Sequence, residues 1–176
     1  MTIRSPRTMA TSSRIVFSTF RSSSDPMLAA WARFRDSVAA AAPEEAIGTG
    51  TLRRTPGTWG VWRVLASNNR ELARSAAAYA SFESARAHAL AIRERVNELD
   101  IVLVTGVRAG NHGWYFALDG TAVLTCGRWY GGSAVGLEAA LATLDALRSG
   151  MVGDSPHELS ASRRTQRFPL RSESSS

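Results

Sequence analysis

Trp62-Arg63-Val64-Leu65-Ala66, with Asn68-Asn69 and Leu72-Ala73 behind it, returns downstream as Trp114-Tyr115-Phe116-Ala117-Leu118, with Asp119-Gly120 and Val123-Leu124 behind it. A single gap at the turn brings Ser75 onto Cys126, Tyr79 onto Tyr130, Leu90 onto Leu141 and Val96 onto Leu147. Identity is low, yet pattern, order and length agree over about 35 positions, which predicts an internal duplication. Each copy reads as strand, tight turn, strand, helix. Trp62, Val64 and Ala66 share one face of a strand, as do Trp114, Phe116 and Leu118, the period of two of a half-buried sheet. Asp119-Gly120 suits the positive φ of a hairpin turn, and Asn68-Asn69 is a weaker form with an extra residue.

Phe82, Ala85, Ala89, Ile92 and Val96 form an apolar helical stripe after Ser81, the predicted N-cap. Leu137, Ala140, Leu141, Leu144 and Leu147 repeat the stripe, with Ser133 as N-cap and Gly150 as the stop. The β-branched run Ile101-Val102-Leu103-Val104-Thr105 predicts a third strand ahead of the second hairpin, and Thr58 to Val61 supplies its expected counterpart. A hairpin with one helix is not stable alone. Two stacked copies predict one α+β domain of about 95 residues. It consists of two tandem ββ(β)α repeats about a pseudo-twofold axis, an antiparallel sheet with helices on one face.

Outside the repeats, Asp25-Pro26 has helix-start chemistry, an acidic cap followed by Pro at the first helical position. Leu28, Trp31, Arg35, Val38 and the neighbouring Phe34 predict an N-terminal helix that ends before Pro43 and docks on the domain. The expected organisation is a disordered leader over 1–24, the helix over 25–42 and a linker over 43–57. Repeats follow over 58–100 and 101–150, then a disordered tail over 151–176. The leader carries Arg4, Arg7, Arg14 and Arg21 among Ser and Thr with no acid. That composition would fit a transit peptide in a eukaryote, but a disordered leader is expected, an upstream extension being one way to account for it with Met27 as an alternative start.

The aromatic strand Trp62-Arg63-Val64, the turn Asn68-Asn69-Arg70-Glu71, Leu72-Ala73, Ser75, Tyr79, Ser81, Ile92 and Val96 together resemble the YegP-like family, a tandem domain of unknown function. The second copy follows through Trp114-Tyr115-Phe116, Asp119-Gly120, Val123-Leu124, Tyr130, Leu141 and Leu147. The resemblance spans Thr58 to Arg148. It departs from the family at Asn-Asn for Asn-Gly, at Cys126 for the usual Ser, and at Leu for helical Ile and Val in the second copy. It implies the tandem α+β fold and no activity, since the family has no established one.

Composition removes several chemistries. Among 176 residues there is no Lys, so all 21 basic residues are Arg. Walker-type phosphate loops and Schiff-base catalysis are excluded with it. A single Cys excludes an internal disulfide and a cysteine-rich zinc site. No apolar run reaches the roughly 18–20 residues of a membrane span, and a cytoplasmic protein without a membrane partner is expected. The formal charge is +6. It is unevenly placed: eight Arg against three acids from Arg53 to Val96 give +5, and three against five from Asn97 to Arg148 give −2. Arg throughout, beside 28 Ala, is also what a G+C-rich genome writes.

His88, His112 and His157 are scattered without metal-ligand spacing, and neither a metal nor a cofactor is expected. Gly131-Gly132-Ser133 fails the nucleophile-elbow pattern and reads as turn plus cap. Cys126 reads as a small buried hydrophobe. With no paired carboxylates either, the sequence predicts a non-enzymatic protein. The candidate site is the arginine set of the first copy: Arg63, Arg74 and Arg70 on the solvent face of the sheet, extended by Arg53 and Arg54. Such a patch predicts weak nucleic-acid binding through phosphate or guanine contacts, against a plain reading as a solvated charged face. The alternative is a protein-interaction module acting through its sheet edge or through complementary charge. The arginines near 163–171 would form a flexible arm, and the molecule is expected to be a monomer with an internal pseudo-dimer.

Overall fold

The computed structural model describes residues 12–42 and 60–159. Seven strands and three helices follow one another as β1 (Arg14–Thr19), α1 (Pro26–Ala40), β2 (Gly60–Leu65), β3 (Glu71–Ser75), α2 (Phe82–Glu94), β4 (Asp100–Thr105), β5 (His112–Leu118), β6 (Thr121–Cys126), α3 (Ser133–Ser149) and β7 (Met151–Glu158). They build one α+β sheet in the order β4-β5-β6-β3-β2-β1-β7. Every pairing is antiparallel except β1 with β7, so the sheet is mixed, where an all-antiparallel one was expected.

Both hairpins form where the turn chemistry places them. Asn69 and Asp119 take positive φ at 64° and 51°, and Gly120 at 77°. Short polar Asn and Asp tolerate the left-handed region because their side chains bond locally. In the first hairpin Val64 faces Ala73 and Leu65 faces Glu71, with a bulge between. In the second, Phe116 faces Leu124 and Ala117 faces Ala122, with a bulge at the corresponding step. The seam between them pairs Ala73 with Cys126, Arg74 with Thr125 and Ser75 with Leu124.

α2 and α3 pack on one face, over Trp62, Val64, Trp114 and Phe116, all fully buried. Ser81 caps α2, its hydroxyl accepting from Ser84 N in a reciprocal capping box. At α3 the expected cap is displaced by one residue: Gly132 is the N-cap, and Ser133 is the first helical residue with no capping bond.

Four further expectations of the sequence reading are corrected. Residues 14–19 of the supposed leader are a buried strand between β2 and β7. Ile15 and Phe17 reach the core, Phe17 edge-on to Phe82 at 5.1 Å. This strand, not Thr58 to Val61, is the one that flanks the first hairpin at β2; Gly60 and Val61 belong to β2 itself. Residues 151–158 of the supposed tail are the parallel edge strand β7. Finally, helices cover both faces of the sheet. α1, capped by Asp25 with Pro26 at its start, lies on the face opposite α2. There Leu28, Trp31 and Ala32 cluster with Phe20 and Val61, the outward neighbour of Trp62. Further along α1, Phe34 meets Trp129 at 5.6 Å. The linker over 43–57, the first residues of the leader and the rest of the tail lie outside the described residues.

Candidate functional site: an arginine pair beneath the first helix

On the α1 face the strand registers align one row of side chains across the sheet. Val16 faces Arg63, Arg63 faces Arg74, Arg74 faces Thr125, Thr125 faces Tyr115, and Tyr115 faces Val102. Two arginines are thus direct cross-strand neighbours, a pairing that destabilises unless bridged. Glu71 bridges it. Its Oε2 accepts from Arg63 Nη1 at 3.2 Å, and its Oε1 accepts from Arg74 Nε. The bulge after Val64 is what makes this geometry available: it leaves Leu72 and Ala73 both on the core face, so that Glu71 and Arg74 share the other. Arg63 Nε also donates to the buried Ser18 hydroxyl at 2.9 Å, which ties β2 to β1 through a side chain.

The trio is only part-exposed, at 20%, 27% and 18% of side-chain area for Arg63, Arg74 and Glu71. It lines a cavity of about 210 Å³ between the sheet and α1, with Phe20, Trp31, Val61 and Leu159 as apolar walls. Two guanidinium groups against one carboxylate leave one positive charge on the sheet side. Arg74 commits Nε to Glu71, and its Nη1 and Nη2 have no hydrogen-bond partner among the described residues. Trp31 Nε1, Tyr115 Oη and Thr125 Oγ1 are likewise buried without a hydrogen-bond partner there.

The structure therefore brings together Arg63 and Arg74 and separates the rest of the predicted set. They do not lie on an open solvent face, because α1 covers it. Arg70 is exposed at the hairpin turn and lines a different recess, beside Leu72 and Asp145. Arg53 and Arg54 lie outside the described residues. Glu71, Trp31 and the cover formed by α1 were missed. Regular alternation puts Glu71, three residues before Arg74, on the opposite face, and only the bulge brings it round; nothing local in the sequence says which face a docked helix will take.

A second polar chain runs on the α2 face. Trp62 Nε1 donates to Tyr79 Oη at 3.2 Å, and the Tyr79 hydroxyl bonds His88 Nδ1. Burial pushes Tyr79 up to about 12 and holds His88 below its ordinary 6.5. With Trp62 donating to the Tyr79 oxygen, the Tyr79 hydroxyl is free to donate to Nδ1 of a neutral His88, a half-buried residue on α2. His112 starts β5, where it bridges Tyr130, and His157 lies in β7, its carbonyl accepting from Thr19 Oγ1 at 3.4 Å. Cys126 is buried, its sulfur accepts from Trp114 N at 3.4 Å, and burial pushes its thiol up, which favours an inert group. Among the described residues no cluster of His, Cys, Asp and Glu could hold a metal, and no helix is long and apolar enough to cross a membrane.

A scan against models of protein families finds no match to this chain, and searches of curated proteins and of solved structures find none either.

Proposed function

We propose that this chain is a non-enzymatic binding domain of duplicated, YegP-like type whose ligand is a small anion held by Arg63 and Arg74 beneath α1. One observation carries the reading: a part-buried cluster with one uncompensated positive charge faces a cavity walled by apolar side chains. Surface arginines that serve only solubility stay solvated and leave no such void. A bound counter-charge would pair the one guanidinium charge that Glu71 leaves unbalanced.

The duplication is supported by the way the pairings exchange under the sequence alignment. Ala73 with Cys126 becomes Leu124 with Ser75, and Arg74 with Thr125 maps onto itself. The isolated bridges Gly60 with Tyr79 and His112 with Tyr130 are also equivalents. Ser75 Oγ accepts from Trp62 N as Cys126 Sγ accepts from Trp114 N. α1 has no second-copy equivalent, and neither does Glu71, whose place is taken by Ala122. The cavity is thus an asymmetric addition to a symmetric frame.

A nucleic-acid groove is the weaker reading, because phosphates cannot approach Arg63 and Arg74 in line while α1 lies over them. The test is thermal unfolding across a series of small anions and duplex DNA at constant ionic strength. A ligand at a hundred times its dissociation constant adds about 2.7 kcal/mol. Small anions should raise the midpoint and Arg74→Gln should abolish the rise. Stabilisation by DNA alone would return the case to an exposed arginine patch. A flat response, together with concentration-dependent sedimentation, would favour the edge strand β4 as a protein-binding element. Its register with β5 has no bulge, and Leu103 on it is exposed.

A further inference from the structure

We infer that the ligand of this cavity is a monocarboxylate on a compact apolar body, an arylcarboxylate or short branched-chain carboxylate; the inference rests on the anion-site reading above. Charge sets the valence. Arg63 and Arg74 against Glu71 leave a single positive charge, so one negative charge balances the cluster. A second would lie close to the Glu71 carboxylate and be repelled by it.

Donor geometry sets the headgroup. Arg74 is anchored through Nε to Glu71, and its two terminal nitrogens have no hydrogen-bond partner among the described residues. Parallel N–H groups at the end of a fixed guanidinium match the two oxygens of a planar carboxylate. Arg63 is less available, since Ser18 and Glu71 already take its Nε and Nη1. It adds charge and holds Glu71 in place, so Arg74 is the residue that touches the ligand and Arg63 is a positioning residue.

The walls set the body. Phe20, Trp31, Val61 and Leu159 offer aromatic and branched aliphatic surface. The cavity measures about 210 Å³. A void of about 150 Å³ suffices for benzene, so a ring with a carboxylate fits here and a nucleotide does not. Drug-sized ligands ask for about 300 Å³ or more.

The experiment is isothermal titration calorimetry of the full chain with benzoate, benzyl alcohol and inorganic phosphate. Two variants accompany it. Arg74→Gln removes the fork. Ala30→Phe fills the mouth from the exposed side of α1 and leaves every charged group in place. Benzoate should bind one to one, benzyl alcohol about tenfold more weakly or worse, and both variants should lose about tenfold or more. Unchanged circular dichroism of Ala30→Phe separates a blocked cavity from a misfolded one. Phosphate binding that depends on Arg74, without benzoate binding, overturns the carboxylate and leaves the anion site standing. Absence of binding by every anion at millimolar concentration overturns both. Equal affinity for benzoate and benzyl alcohol overturns the role of the charge.

Discussion

Arg63 and Arg74 face each other across β2 and β3, and the same sheet position in the second unit holds Tyr115 against Thr125. The proposed site rests on that difference, a charged pair with Glu71 beside it where the aligned positions hold a neutral pair and Ala122. Arginine placement was legible from strand alternation, because alternate residues share a face. Glu71 was not, because a bulge breaks that alternation and no simple pattern in the sequence marks it. The bond between His88 and the Tyr79 hydroxyl was not legible either, because Tyr79 lies outside α2, in the segment that follows β3. The titration of His88 has a defined sign. Burial holds the folded imidazole below 6.5, so the unfolded chain binds the proton first as pH falls. The stability contributed by neutral His88 is fully present above pH 6.5 and drains away below it. Glu98 and Asp119, held down by hydrogen bonds from Arg95, lose their contribution only under more acid conditions. Denaturant melts between pH 7.5 and 5 should therefore show falling stability. His88→Asn, which keeps an acceptor near the Nδ1 position and cannot titrate, should flatten that slope; an unchanged slope would assign it elsewhere.

At the scale of elements, α2, α3 and both hairpins were legible because each carries its own period and its own turn or cap. β1 and β7 were not. β1 is Arg-Ile-Val-Phe-Ser-Thr, only six residues set in a Ser-, Thr- and Arg-rich stretch, and the composition around it outweighs two core residues. β7 contains Gly153 and Pro156 and is mostly exposed; backbone pairing with β1, not side-chain burial, makes it a strand. The two elements have a testable consequence. Ile15 and Phe17 are fully buried. Such side chains contribute about 1.5–3 kcal/mol each on burial. Domains of this size hold a net stability of only about 5–15 kcal/mol. A chain beginning at Met27 loses both residues and the strand that separates β2 from β7, and should show no cooperative thermal unfolding. A cooperative melt within a few degrees of the full chain would contradict the place given to β1. α1 adds to this: its aromatic Trp31 is almost fully buried, so the helix is part of the core and not a loose cover.

For the molecule as a whole, the sheet order places β3 and β6 at the centre and repeats the same register rules on either side. The two halves of the chain differ in charge, +5 from Arg53 to Val96 and −2 from Asn97 to Arg148, and α1 covers one face of the sheet. The +6 net charge will draw anions to the surface in general, so overall affinity for polyanions says little about a site. Which arginines respond is the informative quantity. The most direct measurement is side-chain 15Nε–1H NMR of the arginines during titration with benzoate. Arg63 and Arg74 should shift together along one saturable curve, while exposed Arg70 and the Arg95 held by Glu98 and Asp119 stay still. Movement of Arg70 and Arg95 with Arg63 and Arg74 unperturbed would contradict this and reduce the cavity beneath α1 to a packing feature.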